Sequence, residues 1–314
     1  MIRVANAPCS WGVLEFEKEA EAAGAPAAQV LDEMAAAGYD GTELGDWGFM
    51  PTDPEQLHDE IARRDLALLA AFVTTRLADP KSYDESRRRA VATAQLLAAV
   101  SGSVNVRRKA EATGDRSPFI VLSDEPAADP VRARHAGRIQ PSQALSEQQW
   151  DIAARGVERL AQTVRDETGL RTVFHHHCAA VVETPQEVAA LMQRTDESLV
   201  GLCLDSGHIT YAGGSPIDLL DRYGTRTWHV HFKDCEPAVA ARARSENWDY
   251  QTAIRHGVFC ELGKGAVDFP ALLEALRQRS YAGWIVVEQD VLPSMGSPLE
   301  SARRNRDYLR TLGL

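Results

Sequence analysis

The chain has 314 residues, with 34 Lys and Arg against 45 Asp and Glu, for a net charge of −11. Phosphate backbones are held by clustered cations, so this balance excludes a nucleic-acid partner and points to a small, mostly neutral ligand. Hydrophobic residues make up 44%, yet no apolar run approaches the roughly 20 residues of a bilayer span, so no membrane partner is expected.

The opening stretch, Met1-Ile-Arg-Val-Ala-Asn-Ala-Pro8, lacks the basic and apolar segments of a secretory signal. It reads as a first strand over residues 3–8 of a cytoplasmic protein. Pro26 to Ala37 has helical spacing with Gly38 just past its end. Gly41-Thr-Glu-Leu-Gly45 is a short strand followed by an aromatic turn with Trp47 and Phe49, and Asp53-Pro54 opens a helix to about Arg64. Leu66 to Val73 is an apolar strand, and Ser82 to Ala99 an amphipathic helix. Ser117 to Glu125 is the next strand, preceded by a charged linker. A long arm around residues 124–145 follows, carrying Arg132, Arg134, His135 and Arg138. Arms of that length in compact folds are usually functional or disordered, and a lid or subunit contact is expected ahead of disorder. Helical spacing resumes over Ser146 to Thr168, Arg171 to His177 is a strand, and Thr184-Pro-Gln-Glu187 is a helix-opening capping box. Leu199 to Asp205, Thr225 to Lys233 and Trp284 to Glu288 complete the strands, with helices near 216–223, 268–279 and Pro298 to Leu309. Eight strands alternating with helices, without a composition shift, predict an α/β fold over residues 1–314: a single (β/α)8 TIM barrel with its active site at the C-terminal strand ends.

Three late strands end in ionisable groups. At period two, Cys203 and Asp205 share a face, as do His229, His231 and Lys233, and Glu288 ends the last strand. A buried aspartate costs several kcal/mol unless paired or bound to a cation, and ends as N-cap of the next helix in its plainest reading. The neighbouring His231 and Glu288 favour a metal. His175 and His177 share one face of their strand while His176 faces the helices, so the fourth ligand is His175 or His177. Two imidazoles with two carboxylates favour Mn, Fe, Co or Zn over Mg, which prefers oxygen alone. Glu43, His208, His229 and Lys233 form a surrounding layer, with Asp234 expected to hold Lys233 or His231. Trp11 and Trp47 follow the first two strands as an apolar platform or as core. Five cysteines (Cys9, Cys178, Cys203, Cys235, Cys260), odd in number and without CxxC spacing, are expected to be reduced thiols.

Leu204-Asp-Ser-Gly-His208, His229-Val-His-Phe-Lys-Asp234, Gly263-Lys-Gly-Ala-Val-Asp-Phe269 and Gly283-Trp-Ile-Val-Val-Glu-Gln-Asp290 resemble the xylose isomerase-like TIM barrel superfamily. Within it, Ala7-Pro-Cys-Ser-Trp-Gly12, Gly41-Thr-Glu-Leu-Gly45, Ala136-Gly-Arg138 and Phe174-His-His-His177 are most similar to the inosose dehydratases. The resemblance implies His175, Asp205, His231 and Glu288 as metal ligands, with Mn2+ or Co2+ foremost and Fe2+ or Zn2+ as alternatives. Epimerases of the superfamily usually carry a glutamate where His175 stands, which favours a dehydratase. On that reading a cyclic keto-polyol such as 2-keto-myo-inositol loses water through an enediolate. Lys233, His177, His208 and Glu288 are then the catalytic candidates, and Glu43, His229, Trp11, Trp47 and Arg138 the substrate-binding ones. The rivals are a metal-dependent sugar isomerase or 3-epimerase and a non-catalytic sugar-binding subunit; a homo-oligomer fits any of these.

Overall fold

A computed structural model describes residues 2–13, 25–101, 117–292 and 295–314; the charged linker ahead of Ser117 lies outside them. Strands β1 (Arg3–Asn6), β2 (Gly41–Thr42), β3 (Ala67–Leu68), β4 (Ala70–Thr75), β5 (Phe119–Asp124), β6 (Arg171–His175), β7 (Val200–Asp205) and β8 (Thr227–Phe232) alternate with helices. After the short β9 (Asp234–Cys235) and β10 (Phe259–Cys260), β11 (Trp284–Val287) completes the large sheet. That sheet is parallel, in the order β3-β2-β1-β11-β8-β7-β6-β5-β4. Its two ends, β3 and β4, are one run of chain separated by Leu69. The Leu69 N–H donates to Thr42 O and its carbonyl accepts from Phe119 N. The ring is therefore closed, and the single (β/α)8 TIM barrel is what the chain forms.

Alternation along the strands makes two cores. Val4, Ile120, Leu122, Phe174, Leu202, Leu204 and Ile285 pack outward against the helices, while Ala5, Val121, Val173, Cys203 and Val286 fill the barrel. The N-terminal end is plugged by Phe119, Trp228 and Trp284, over which lie the guanidinium groups of Arg171 and Arg3. A Cβ at Gly201 would meet the Trp228 ring at 2.3 Å, so only glycine leaves room for it. Helix starts follow side-chain caps, among them Asp53, the Ser146 and Thr184 capping boxes, and Asp205.

The rim carries a smaller core that the sequence pattern missed. The helix Tyr250–Arg255 packs with the arm's helix Pro130–His135 and with Pro237–Ser245, around Tyr211, Tyr250 and Phe259. Arg132, buried, makes two bonds to Glu187 at 2.8 and 2.9 Å and anchors the arm. No helix among the described residues is long and apolar enough to cross a membrane.

Candidate active site

Pairing places the strand ends side by side. Asp205 is in register with His231, His175 with Cys203, and His231 with Val286, two residues before Glu288. His175 Nε2 lies 3.6 Å from Asp205 Oδ2, His231 Nδ1 3.8 Å from the same oxygen and 3.1 Å from Glu288 Oε1. All four residues are buried. Both ring nitrogens of His175 and Asp205 Oδ2 make no hydrogen bond, and His231 Nδ1 has the Glu288 carboxylate beside it. Partnerless buried groups of this kind cost kcal/mol each, and their mutual approach is the arrangement a divalent cation satisfies. The mixed imidazole and carboxylate set fits a transition ion. His208 also brings a donor atom within 4.8 Å of His175, Asp205 and Glu288. His208 Nε2 is 3.2 Å from the Lys233 ammonium, while His231 groups with His175 and Cys203 and with Glu43 and His229, so His208 and His231 both stand as candidates for the fourth position.

Supporting groups set the orientation. Glu43 Oε1 accepts from His229 Nε2 at 2.7 Å and from His231 Nε2 at 2.9 Å, which turns the His231 Nδ1 toward the cluster. Burial opposes charge on His231, but Cys203, Glu288 and Glu43 outweigh it and lift its pKa well above the ordinary value. Asp205 divides its oxygens: Oδ1 accepts from His208 N at 2.7 Å, capping the helix Ser206–Tyr211, and Oδ2 faces the cluster.

Lys233 stands at the edge of the cluster. Its Nζ is 3.0 Å from Glu288 Oε2 and 3.0 Å from Asp290 Oδ1. Burial would drive the proton off, but Asp290, Glu288 and Asp205 hold its pKa well above that of a free lysine. Gly207 makes room for the stem, since a Cβ there would meet Lys233 Cγ at 2.6 Å. His177 Nδ1 lies 2.7 Å from Cys178 O. A carbonyl only accepts, so Nδ1 carries the proton and Nε2 the lone pair. Burial, with His175 and Lys233 nearby, keeps His177 neutral by pushing its pKa well down. Its ring is 3.9 Å from that of His208.

His175, His177, Lys233, Glu288, Asp290 and Glu43 line one small cavity with Cys9, Asp46 and Phe72. The structure does not bring every expected residue there. His229 is enclosed between Glu43 and Phe119. Trp11 is buried, with Nε1 donating to Glu33 at 2.7 Å, because the turn after β1 folds it against the helix Ala27–Ala37. Arg138 donates to Trp248 O at 2.9 Å and braces the arm. Trp47 is half exposed in an adjoining groove. Asp234 accepts from the N–H groups of Cys235, Gly263, Gly265 and Val267 and shapes that loop, holding neither Lys233 nor His231. Asp290 was missed as a site residue, although its place two residues beyond Glu288 puts it on the same face by the strand period.

Comparison with known proteins agrees with this architecture. Residues 31–312 match the model of the xylose isomerase-like TIM barrel family. An inosose dehydratase of Clostridium botulinum (strain Alaska E43 / Type E3) is 31% identical over 283 residues, covering 90% of this chain and 88% of that protein. Among solved structures, an L-ribulose 3-epimerase superposes with a TM-score of 0.66 at 16% identity, over 99% of this chain and 94% of its own. A probable 3-DHS dehydratase from Bacillus anthracis gives 0.64 at 12% identity, over 98% and 99%. At such identities the two structures speak for the fold alone, but the family match spans most of the sequence: the chain belongs to the xylose isomerase-like TIM barrel family.

Proposed function

We propose that this chain is a metal-dependent dehydratase that removes water from a cyclic keto-polyol, 2-keto-myo-inositol or a close relative, through an enediolate of the substrate. The observation that carries this reading is the convergence of His175 and Asp205, whose facing atoms make no hydrogen bond, with His231 and Glu288, and with Lys233 and His177 beside them. Relatives named inosose dehydratase support the substrate class. A divalent ion held by His175, Asp205, His231 and Glu288, with Mn2+ or Co2+ foremost, supplies Lewis acidity toward a ketone oxygen and its neighbouring hydroxyl.

The residues of the chain divide the proton work. His177, neutral with a lone pair at Nε2, is placed to take the proton from the carbon next to the ketone. Lys233, kept as an ammonium by Glu288 and Asp290, is suited to give a proton to the departing hydroxyl, so that the C–O bond breaks to water. His208 stands behind both, 3.2 Å from Lys233 Nζ. The arm over residues 124–145, pinned by Arg132, is read as a cover over the rim. Five cysteines outside any disulfide among the described residues fit a reducing, cytoplasmic setting.

The test is mass spectrometry of products from metal-loaded protein supplied with keto-inositols and ketoses. A product lighter by one water supports elimination. A product of unchanged mass would establish an isomerase or epimerase in its place, and failure to turn over any of them in the presence of Mn2+ or Co2+ would leave only a binding protein.

A further inference from the structure

The catalytic cavity is small, about 40 Å3, a few times the roughly 10–15 Å3 that a single water requires. It has room for an ion and the atoms being bonded, and none for a six-membered ring with its hydroxyls. The rest of a substrate would have to extend beyond it, and a larger cavity adjoins it. Gly45, Asp46 and Phe72 line both this cavity and a second, larger one of about 560 Å3, which is bounded further out by Trp47, Arg88 and Arg89. That volume lies within the roughly 300–1,000 Å3 range of small-molecule sites.

The chemistry of the outer groove differs from that of the chain as a whole. The helix Tyr83–Ser101 follows β4, so its first turns stand at the rim. Arg88 with Ala92 and Arg89 with Thr93 are four residues apart and share the face turned to the groove, where the two small side chains leave space beneath the guanidinium groups. Arg89 is held by a bond from Nη2 to Thr74 Oγ1 at 3.1 Å, and Arg88 is exposed with no ion pair among the described residues. Asp46 is the one acidic residue of the lining; burial raises its pKa and Arg89 opposes that. Trp47 leaves half of its surface open on the groove. In a chain with eleven more acidic than basic residues, two adjacent arginines and an open indole form a local exception.

We propose that this groove is an outer subsite for the part of the substrate remote from the reacting carbons, in which Trp47 meets the ring and Arg88 and Arg89 bind an anionic substituent, a phosphate ester or a carboxylate. This rests on the keto-polyol reading of the inner site. It adds to that reading a preference for charged substrates over the neutral parent.

The experiment uses the full chain loaded with Mn2+ and three probes: 2-keto-myo-inositol, a monophosphate ester of it, and a cyclic hydroxyketone bearing a ring carboxylate. Calorimetric binding and turnover are measured for wild type, for Arg88→Ala/Arg89→Ala, and for Arg87→Ala as a control beside the groove. The expected result is at least roughly tenfold tighter binding of one anionic probe than of the neutral one, lost in the double variant and kept in the control. The neutral probe should bind the double variant as it binds wild type. Whichever anion gains identifies the substituent. Equal binding of all three probes to wild type, or equal weakening of all three in the double variant, overturns the subsite. Anion-selective binding without loss of water from any probe would sink the dehydratase and leave the groove standing, whereas turnover of the neutral probe without anion preference would do the reverse.

Discussion

Asp205 is the residue on which the most depends, because it serves two masters with two oxygens. Its Oδ1 caps a helix, and its Oδ2 makes no hydrogen bond and faces the imidazoles of His175 and His231. Asp205→Asn retains an oxygen for the cap but loses the charge. Metal content of the purified variant is expected to fall at least tenfold and activity at least a hundredfold, with little change in unfolding midpoint; an unchanged metal content would remove Asp205 from the ligand set. Lys233 separates differently. Lys233→Met should leave metal content intact and lower kcat by about 10²- to 10⁴-fold, the range for loss of a positioned acid. A fall confined to KM would assign Lys233 to binding alone. The strand period was enough to place His231, Lys233 and Glu288 on one rim, since parity is a local property. It could not tell that His229, on the same face as His231, is spent one layer deeper against Glu43, because depth is set by the register between strands.

At the scale of elements, the eight barrel strands and their main helices announce themselves through caps and periodicity. The rim does not. Helices Pro130–His135 and Tyr250–Arg255 are six residues each, too short for a periodic signal, and they hold their form through the small core around Tyr250 and Phe259. Glu183 joins this layer to the His177 loop, accepting from Gly137 N and Ala179 N at 2.7 Å each. Burial raises its pKa to about 7, against the pull of those two bonds. A carboxyl whose folded pKa is raised binds its proton more tightly when folded. Its contribution is therefore fully present below the unfolded value near 4.5 and is lost as pH rises through about 7. Denaturant unfolding from pH 5 to 8 should show wild type losing up to about 3 kcal/mol relative to Glu183→Gln. Parallel pH profiles for the two proteins would mean that Glu183 titrates normally.

For the whole molecule, closure of the ring is what makes the site. The strands from β6 to β11 supply the cluster, and the barrel core below holds them at one height. An ion bound only by the folded barrel should stabilise it by mass action, by about 2.7 kcal/mol at a hundredfold excess over its dissociation constant. Chelation should accordingly lower the midpoint of thermal unfolding, and added Mn2+ or Co2+ restore it; a midpoint indifferent to both would argue against a buried cation. What the sequence alone determined is whatever depends on near neighbours: strand and helix positions, caps, and which residues of a strand share a face. Parity, capping and turn chemistry act over a few residues and are written there directly. Only the tertiary structure decided that Asp290 grips Lys233, that Asp234 serves a distant loop, that Trp11 belongs to the core, and that two arginines of an ordinary-looking helix line a groove beside the site. Each of these joins segments remote in the chain, and the distance between them is set by barrel closure and packing, which no local pattern encodes.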